Sequence, residues 1–442
     1  MPGTTADMPS RAVEAIDDDL PPMRVFAAPQ PTVFGISNSD LARDFVDLSF
    51  LLESGRPLPV FTRFEGPISV RVTGNPPPTM ASDLNRLLFR LRNEAGIDIR
   101  QTSEADANIT IEAVSRAEIR AALPQAACFV VPNITRLSEF RLARRSPRTD
   151  WARLTTRERM AIFLPNDASP QEVRDCLHEE LAQSLGPLND LYRLPQSVFN
   201  DDNVHAVLTG FDMMILRATY APELRSGMTR REVMDRLPGV LARINPGGQF
   251  LPARNDGTTP RAWTDAMQTA LGAGAAPGAR RTAAARALDI AQTLGWRDHR
   301  LGFAHYILGR LSLPLDPAEA VAHFQTADSI FAQRPEYALH RAMVAAQLAA
   351  YLVAQGRGPE AVDMVGVHLP TVIRHENAAL VATLNMLRAE ALELSGRGVE
   401  AQAVRLDSLG WARYGFGADG AIRAKLREIS ALNPLHRRNG RI

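Results

Sequence analysis

The sequence predicts an α+β domain followed by an all-α array of helical hairpins. Three observations carry this reading. Between residues 35 and 245, strand-like alternation and helix-like periodicity are interleaved. From 246 to 280 the text turns to "NPGGQFLPARNDGTTP" and "GAGAAPGARR", which is linker chemistry with room for a short helix around Trp263. From 281 to 435 the pattern is helical and alanine-rich, and a short turn motif recurs.

Taken in order, residues 1–34 are rich in Pro, Asp and Ala and read as a flexible segment. "SDLARDFVDLSFLLES" opens on a Ser or Asp cap and places Leu41, Phe45, Leu48 and Leu52 at helical spacing. "PISVRVTG" alternates Ile68, Val70 and Val72, as a half-buried strand should. "ASDLNRLLFRLRNEAG" puts Leu84, Leu87, Leu88, Leu91 and Ala95 on one helical face, with Gly96 as the stop. "ANITIEAV", "ACFVVPN" and "RMAIFLP" follow as strands. In the C-terminal part, Glu319, Glu360 and Glu400 recur at intervals of 41 and 40 residues, each followed by alanine and each just after a Gly- or Pro-containing turn. That period suits about three stacked hairpins; the competing architecture is an irregular helical bundle.

Composition excludes several classes. A formal net charge of +1 on 442 residues provides no global field for nucleic acid or an anionic membrane. No run approaches the roughly 18 apolar residues that span a bilayer. Neither a nucleic-acid partner nor a transmembrane segment is expected. Arg141, Arg144, Arg145, Arg148, Arg153, Arg157 and Arg159 cluster around Trp151, but without a nucleic-acid module such a run reads as a solvated loop. The N-terminus shows no basic start and apolar core of a secretion signal. The two cysteines, Cys128 and Cys176, are either two buried thiols or one disulfide, the latter if the chain folds in an oxidising compartment.

The chemistry concentrates in "HEELAQSLGPLND", residues 178–190. Ser169 and Pro170 signal the start of a helix that Gly186 ends. On it Val173, Leu177, Leu181 and Leu185 form an apolar stripe, while Cys176, Glu179, Glu180 and Gln183 gather on the neighbouring face. Zinc peptidases carry H-E-x-x-H on such a helix, two imidazoles four residues apart holding the metal and the glutamate acting as base. Starting from His178 the pattern fails, because position 182 is alanine. Starting one residue later, Glu179, Glu180, Gln183, Gly186, Asn189 and Asp190 resemble the extended metzincin motif, with the base glutamate and the glycine kept and the histidines replaced. Ser197, Val198 and Phe199, then Leu208, Thr209, Asp212 and Tyr220, resemble the turn and helix that follow it, with Phe199 where metzincins have methionine.

The chain also resembles the bacterial domain-of-unknown-function 2927 family through Cys176, Glu179, Glu180, Gln183, Gly186, Asn189 and Asp190, the segment "SVFND", and Gly227-Met228. The resemblance covers about residues 35–240. It implies a degenerate zincin or metzincin-like fold and, because members are often exported or lipid-anchored, a periplasmic or envelope location; a cytoplasmic one is the alternative. The C-terminal period resembles tetratricopeptide repeats. Glu, Gln and Asn donors hold zinc poorly, so no cofactor is expected. The expected function is non-catalytic binding or scaffolding, with a polypeptide partner recognised through the helical repeats and Glu179, Glu180, Gln183, Asn189 and Asp190 forming a cleft. The alternative is an atypical metallopeptidase or amide hydrolase with Glu180 as general base. Without a metal, Glu180 is expected to be hydrogen-bonded to protein groups, Gln183 to bridge towards Asn189, Phe199 to fill the space below, and an arginine from 144–159 to replace the metal's charge.

Overall fold

The computed structural model describes residues 20–26, 35–254, 256–272 and 274–438. The first region runs α1 (Asn38–Phe50), β1 (Ile68–Gly74), α2 (Met80–Glu94), β2 (Ile99–Gln101), β3 (Ile109–Val114), α3 (Arg116–Ala122), β4 (Phe129–Pro132), α4 (Leu137–Ala143), β5 (Met160–Pro165), α5 (Pro170–Leu185), α6 (Gly210–Thr219) and α7 (Arg230–Ile244). Ser37 caps α1, its hydroxyl accepting from the Asp40 amide, two residues ahead of the expected start. The strands form one sheet in the order β2-β1-β3-β5-β4. Three pairings are parallel, while β4 lies antiparallel to β5 at the edge. Strand β5 is buried along its whole length. Met160, Ile162 and Leu164 enter the main core with α1, α2 and α5, and Ala161 and Phe163 meet α3 and α4 on the other face. Burial on both faces explains why "MAIFLP" is a continuous apolar run.

The second region is all helical: α8 (Arg261–Leu271), α9 (Pro277–Thr293), α10 (His299–Ser312), α11 (Pro317–Phe331), α12 (Ala338–Ala354), α13 (Gly358–Arg374), α14 (Ala378–Leu394), α15 (Gly398–Phe416), α16 (Asp419–Ser430) and α17 (Pro434–Arg438). From α8 to α16, successive helices pack on one another. Helix α8 occupies the middle of the expected linker, so helical packing begins at Arg261 rather than at 281. Its cause is an apolar face of Trp263, Ala266, Met267 and Ala270 that closes against α9 and α10. The recurring turns are superposable in kind. Gly356 and Gly396 both end a helix with positive φ, +74° and +72°. The next arginine in each case, Arg357 or Arg397, pairs with Glu360 or Glu400 in the first turn of the following helix. A glutamate there also complements the helix dipole. At Gly358 a Cβ would come within 2.5 Å of the Ala391 carbonyl oxygen, so close approach of α13 to α14 requires glycine.

The two regions are packed together through α5. Arg174, 2% exposed, donates to the Glu376 carboxylate at 3.0 Å and to the Glu376 carbonyl, and its guanidinium lies 5.0 Å from the Tyr414 ring centroid and 5.3 Å from that of Phe26. Glu376 itself sits between α13 and α14 with φ +53°. Tyr414 in turn donates to Asp83 of α2 at 2.8 Å. Phe26 belongs to the segment expected to be flexible; residues 20–26 instead lie against α15, with Arg24 N donating to Gly410 O and Phe26 packed on Trp411. The rest of that segment, 1–19 and 27–34, lies outside the described residues. Cys128 and Cys176 form a disulfide, Cα atoms 6.0 Å apart, joining the residue before β4 to α5.

Two stability outcomes follow from these ties. Arg174→Ala leaves the Glu376 carboxylate buried without its partner and should destabilise by about 3–5 kcal/mol in urea titrations, whereas Arg24→Ala, at an exposed pair, should change stability by less than about 1 kcal/mol. Replacing both cysteines by serine reopens the 48-residue separation and should cost about 2–4 kcal/mol. Unchanged midpoints would show that neither tie is stabilising.

Candidate functional site

Helix α5 starts where the sequence requires it. Ser169 accepts from the Glu172 amide and Pro170 occupies the first turn. It stops at Gly186, where the backbone leaves helical geometry, and glycine is required there because a Cβ would meet Thr219 Cγ2 of α6 at 2.7 Å. Val173, Leu177, Leu181 and Leu185 are buried in the main core. The neighbouring face, with Glu179, Glu180 and Gln183, opens onto a cavity of about 660 Å³. Its other walls include Glu53 from the segment after α1, Asp190 and Asp201 from the long loop after α5, Trp151, and residues 125–130 leading into the edge strand β4.

Five carboxylates therefore share one cavity, and among the described residues no arginine or lysine lines it. Glu180 is only 5% exposed, and its Oε2 has no hydrogen-bond partner; Asp190 Oδ1 has none either. Burial pushes Glu179 up to about 8, with the charges of Glu53, Asp201 and Asp175 adding to it. Burial, and then the neighbouring acids, raise Glu180 and Asp190 well above the usual carboxylate range. Glu53 and Asp190 lie close enough to share a proton. Like charges held together in a poorly solvated space relieve themselves by taking up protons.

The polar groups around this set are committed elsewhere. Arg157, 2% exposed, donates to the Gln183 and Gly186 carbonyls at 2.5 Å each and to Thr62, with Trp151 stacked 5.5 Å away. It serves the carbonyl end of α5, and burial lowers it to about 10. The expected arginine in place of a metal charge is thus present near the helix but answers backbone oxygens, not carboxylates. His178 accepts from the Leu208 amide at 3.1 Å and is held well below its ordinary value by burial and by Arg90, Arg174 and Arg86. Phe199 is fully buried, in a turn pinned by Asp212, which accepts from Ser197 Oγ, the Val198 amide and the Thr209 amide.

The loop carrying Asp190 and Asp201 is held by the helical region. His299 of α10 bonds the Tyr192 carbonyl at 2.6 Å, His340 of α12 bonds Asp202 at 2.8 Å, and Gln268 of α8 donates to Asp201 at 3.4 Å.

Of the residues expected to form the cleft, Glu179, Glu180, Gln183 and Asp190 come together. Asn189 does not; its amide donates to the Asp47 carbonyl of α1 at 3.1 Å, away from the cavity, so no Gln183–Asn189 bridge forms. The expected protein partner for Glu180 Oε2 is also missing. Glu53 and Asp201 escaped the sequence reading; Asp201 falls within "SVFND", while nothing marks Glu53. The donor set does not fit zinc, since the cavity lining contains no imidazole and its one cysteine is bonded to another.

The structure is thus an α+β domain with an acidic cavity between its motif helix and edge strand, buttressed by helices. Residues 38–239 match the family model described as "Protein of unknown function (DUF2927)", which supports that family for the α+β region. Neither a curated protein nor a solved structure matches the chain.

The protonated acids give a pH test. Glu179 titrates near 4.3 when unfolded and about 8 when folded, so the folded protein holds a proton in that window that the unfolded chain has lost, and stability falls as pH rises through it. The buried histidines act oppositely below about pH 6.5; His299, lowered to about 3, is one of them. Comparing Glu179→Gln with the parent cancels their contribution. The variant should be more stable by on the order of 1 kcal/mol near pH 8, and its advantage should shrink towards pH 6. An advantage that is flat with pH would contradict the assigned protonation.

Proposed function

We propose that this protein is a non-catalytic binding and scaffolding protein of the bacterial envelope, a metzincin-like domain joined to tetratricopeptide-like repeats, which recognises a polypeptide partner. The observation that carries the reading is the cavity's position beside β4. Among the described strands β4 is the edge strand, paired with β5 alone, and an extended chain adding to it would place side chains in the neighbouring cavity. The repeats offer a second, apolar surface, a groove of about 560 Å³ whose walls include Leu348, Tyr351, Met364 and Val367. The glycine-ended helix, the buried turn at Ser197–Phe199 and the mixed sheet favour the metzincin-like reading, and the paired Gly-Arg-Gly turns favour the repeat reading. The disulfide agrees with an oxidising location.

The hydrolase reading retains one favourable observation, an unpartnered oxygen on Glu180, a residue of the cavity wall. A general base must be ionised at working pH, however, and burial, then the neighbouring acids, hold Glu180 well above the usual carboxylate range. The readings separate in one experiment. A library of extended peptides is selected on the immobilised full chain, and the selected peptides are assayed for affinity and for cleavage. Binding without cleavage is expected, with at least a tenfold loss in Ala127→Trp, which fills the mouth at an exposed position and should leave the melting temperature unchanged. Cleavage that disappears in Glu180→Gln would instead establish the hydrolase.

A further inference from the structure

We propose that the cavity is a receptor for a cationic side chain, the guanidinium or ammonium group of an arginine or lysine carried by an extended polypeptide. The inference rests on the polypeptide-binding reading and deepens it. Its first support is composition: Glu53, Glu179, Glu180, Asp190 and Asp201 line one space, with no cationic residue among its walls. The second is independent of charge count. Glu180 is 95% buried and its Oε2 is left without any protein partner at the cavity wall. A buried carboxylate oxygen without a donor is costly, and the fold offers it none.

The two buried arginines beside α5 are kept from this role by their other bonds. Arg157 is held by the two carbonyls at the end of α5 and by Thr62. Arg174 faces the opposite way, to Glu376. Neither supplies the donor that Glu180 Oε2 lacks, and an incoming cation can. A guanidinium supplies five N–H donors in a planar fork and an ammonium three, either of which can answer several carboxylate oxygens together.

A divalent cation is the competing ligand, and the geometry disfavours it. Among the described residues, the group whose potential ligand atoms all lie within 4.8 Å of one another is Glu390, Glu393 and His436, which is remote from the cavity and already bridged by Arg405. The five acids of the cavity are spaced more widely than a coordination sphere, and about 660 Å³ is the scale of an organic ligand. The place beside β4 also fits a side chain. On a strand laid along that edge every second residue points to the same face, so one residue enters the cavity while its backbone pairs with β4.

Binding would be coupled to protons. The groups facing Glu180 are Glu179 on the same helix and Glu53 across the cavity; Glu179 also meets Asp175 and Asp201, and Asp190 meets all four cavity acids. Around the rim, Tyr192 lies beside Asp201 and Gln268 donates to it. A cation entering this set displaces protons, so affinity should rise with pH towards about 8.

The test uses the full chain and four probes in calorimetric titrations: an N-acetylated, C-amidated peptide of serine, threonine and valine with one central arginine, the same peptide with citrulline, agmatine, and calcium chloride. The expected result is that the arginine peptide binds near pH 8 with proton release, at least tenfold more tightly than near pH 6. Citrulline should cost at least tenfold, as should Glu180→Gln and Asp190→Asn, variants that remove charge without changing shape. Agmatine binding without peptide binding would support the cationic receptor and remove the polypeptide reading. Equal binding of the arginine and citrulline peptides would overturn the inference and leave that reading standing. Calcium binding tighter than any guanidinium and lost in Glu180→Gln would overturn it in favour of a metal site, and no binding by any probe would overturn it outright.

Discussion

The contact on which the arrangement depends is the buried guanidinium of Arg174. It ties the motif helix α5 to the corner between α13 and α14 through Glu376, while its flat faces meet Phe26 and Tyr414. Tyr414 continues the chain of contacts to Asp83 on α2. One residue thus joins an early helix, the motif helix and the late repeats. A buried pair of this kind is poor evidence of net stability, because desolvation offsets much of the attraction. Its value is geometric. With Arg174 fixed on one side and the Cys128–Cys176 bond on the other, α5 cannot rotate to carry Glu179 and Glu180 away from Glu53, Asp190 and Asp201. Mutual repulsion is then relieved by protonation, since the backbone is not free to relieve it.

The same logic assigns a structural role to the helices. Loop 186–209 contains no helix or strand, yet it carries Asp190 and Asp201 into the cavity and is largely buried. A loop of that length needs outside support. His299, His340 and Gln268 supply it from α10, α12 and α8. The histidines around it, His205, His299 and His375, are pushed down by burial and so remain neutral near pH 7, which suits bonding to carbonyls and packing against one another. The helical region therefore bears on the site even if a partner touches only the α+β region.

What was legible in the sequence was what is locally determined. The α5 boundaries followed from Ser169, Pro170 and Gly186, and the major strands from their alternation or unbroken apolar runs. The Glu319, Glu360 and Glu400 period correctly marked the first turns of α11, α13 and α15. Short elements were lost: β2 has three residues, and α3 and α4 have seven each, too few for a period to show. Helix α8 was underestimated because alanine dilutes its apolar face. In the site, Glu53 and Asp201 were not legible because they reach α5 only through tertiary folding. Asn189 was misplaced because its partner is a backbone carbonyl, which leaves no mark in a sequence. Arg157 was read as part of a solvated loop, although the helix end it serves was already visible at Gly186.

The carboxylates of the cavity acquire a chemical meaning from this geometry. A zinc site places neutral imidazoles around a dication and relies on the metal to acidify water, so its base glutamate works ionised. In this cavity the local charge balance is the opposite: acids outnumber cations among the described lining residues, and Glu180 becomes one of the harder groups to ionise. Such a set is poorly suited to activating water at neutral pH. It is well suited to exchanging protons for an incoming positive charge, because the energy that holds the protons in the empty cavity is released when a cation takes their place.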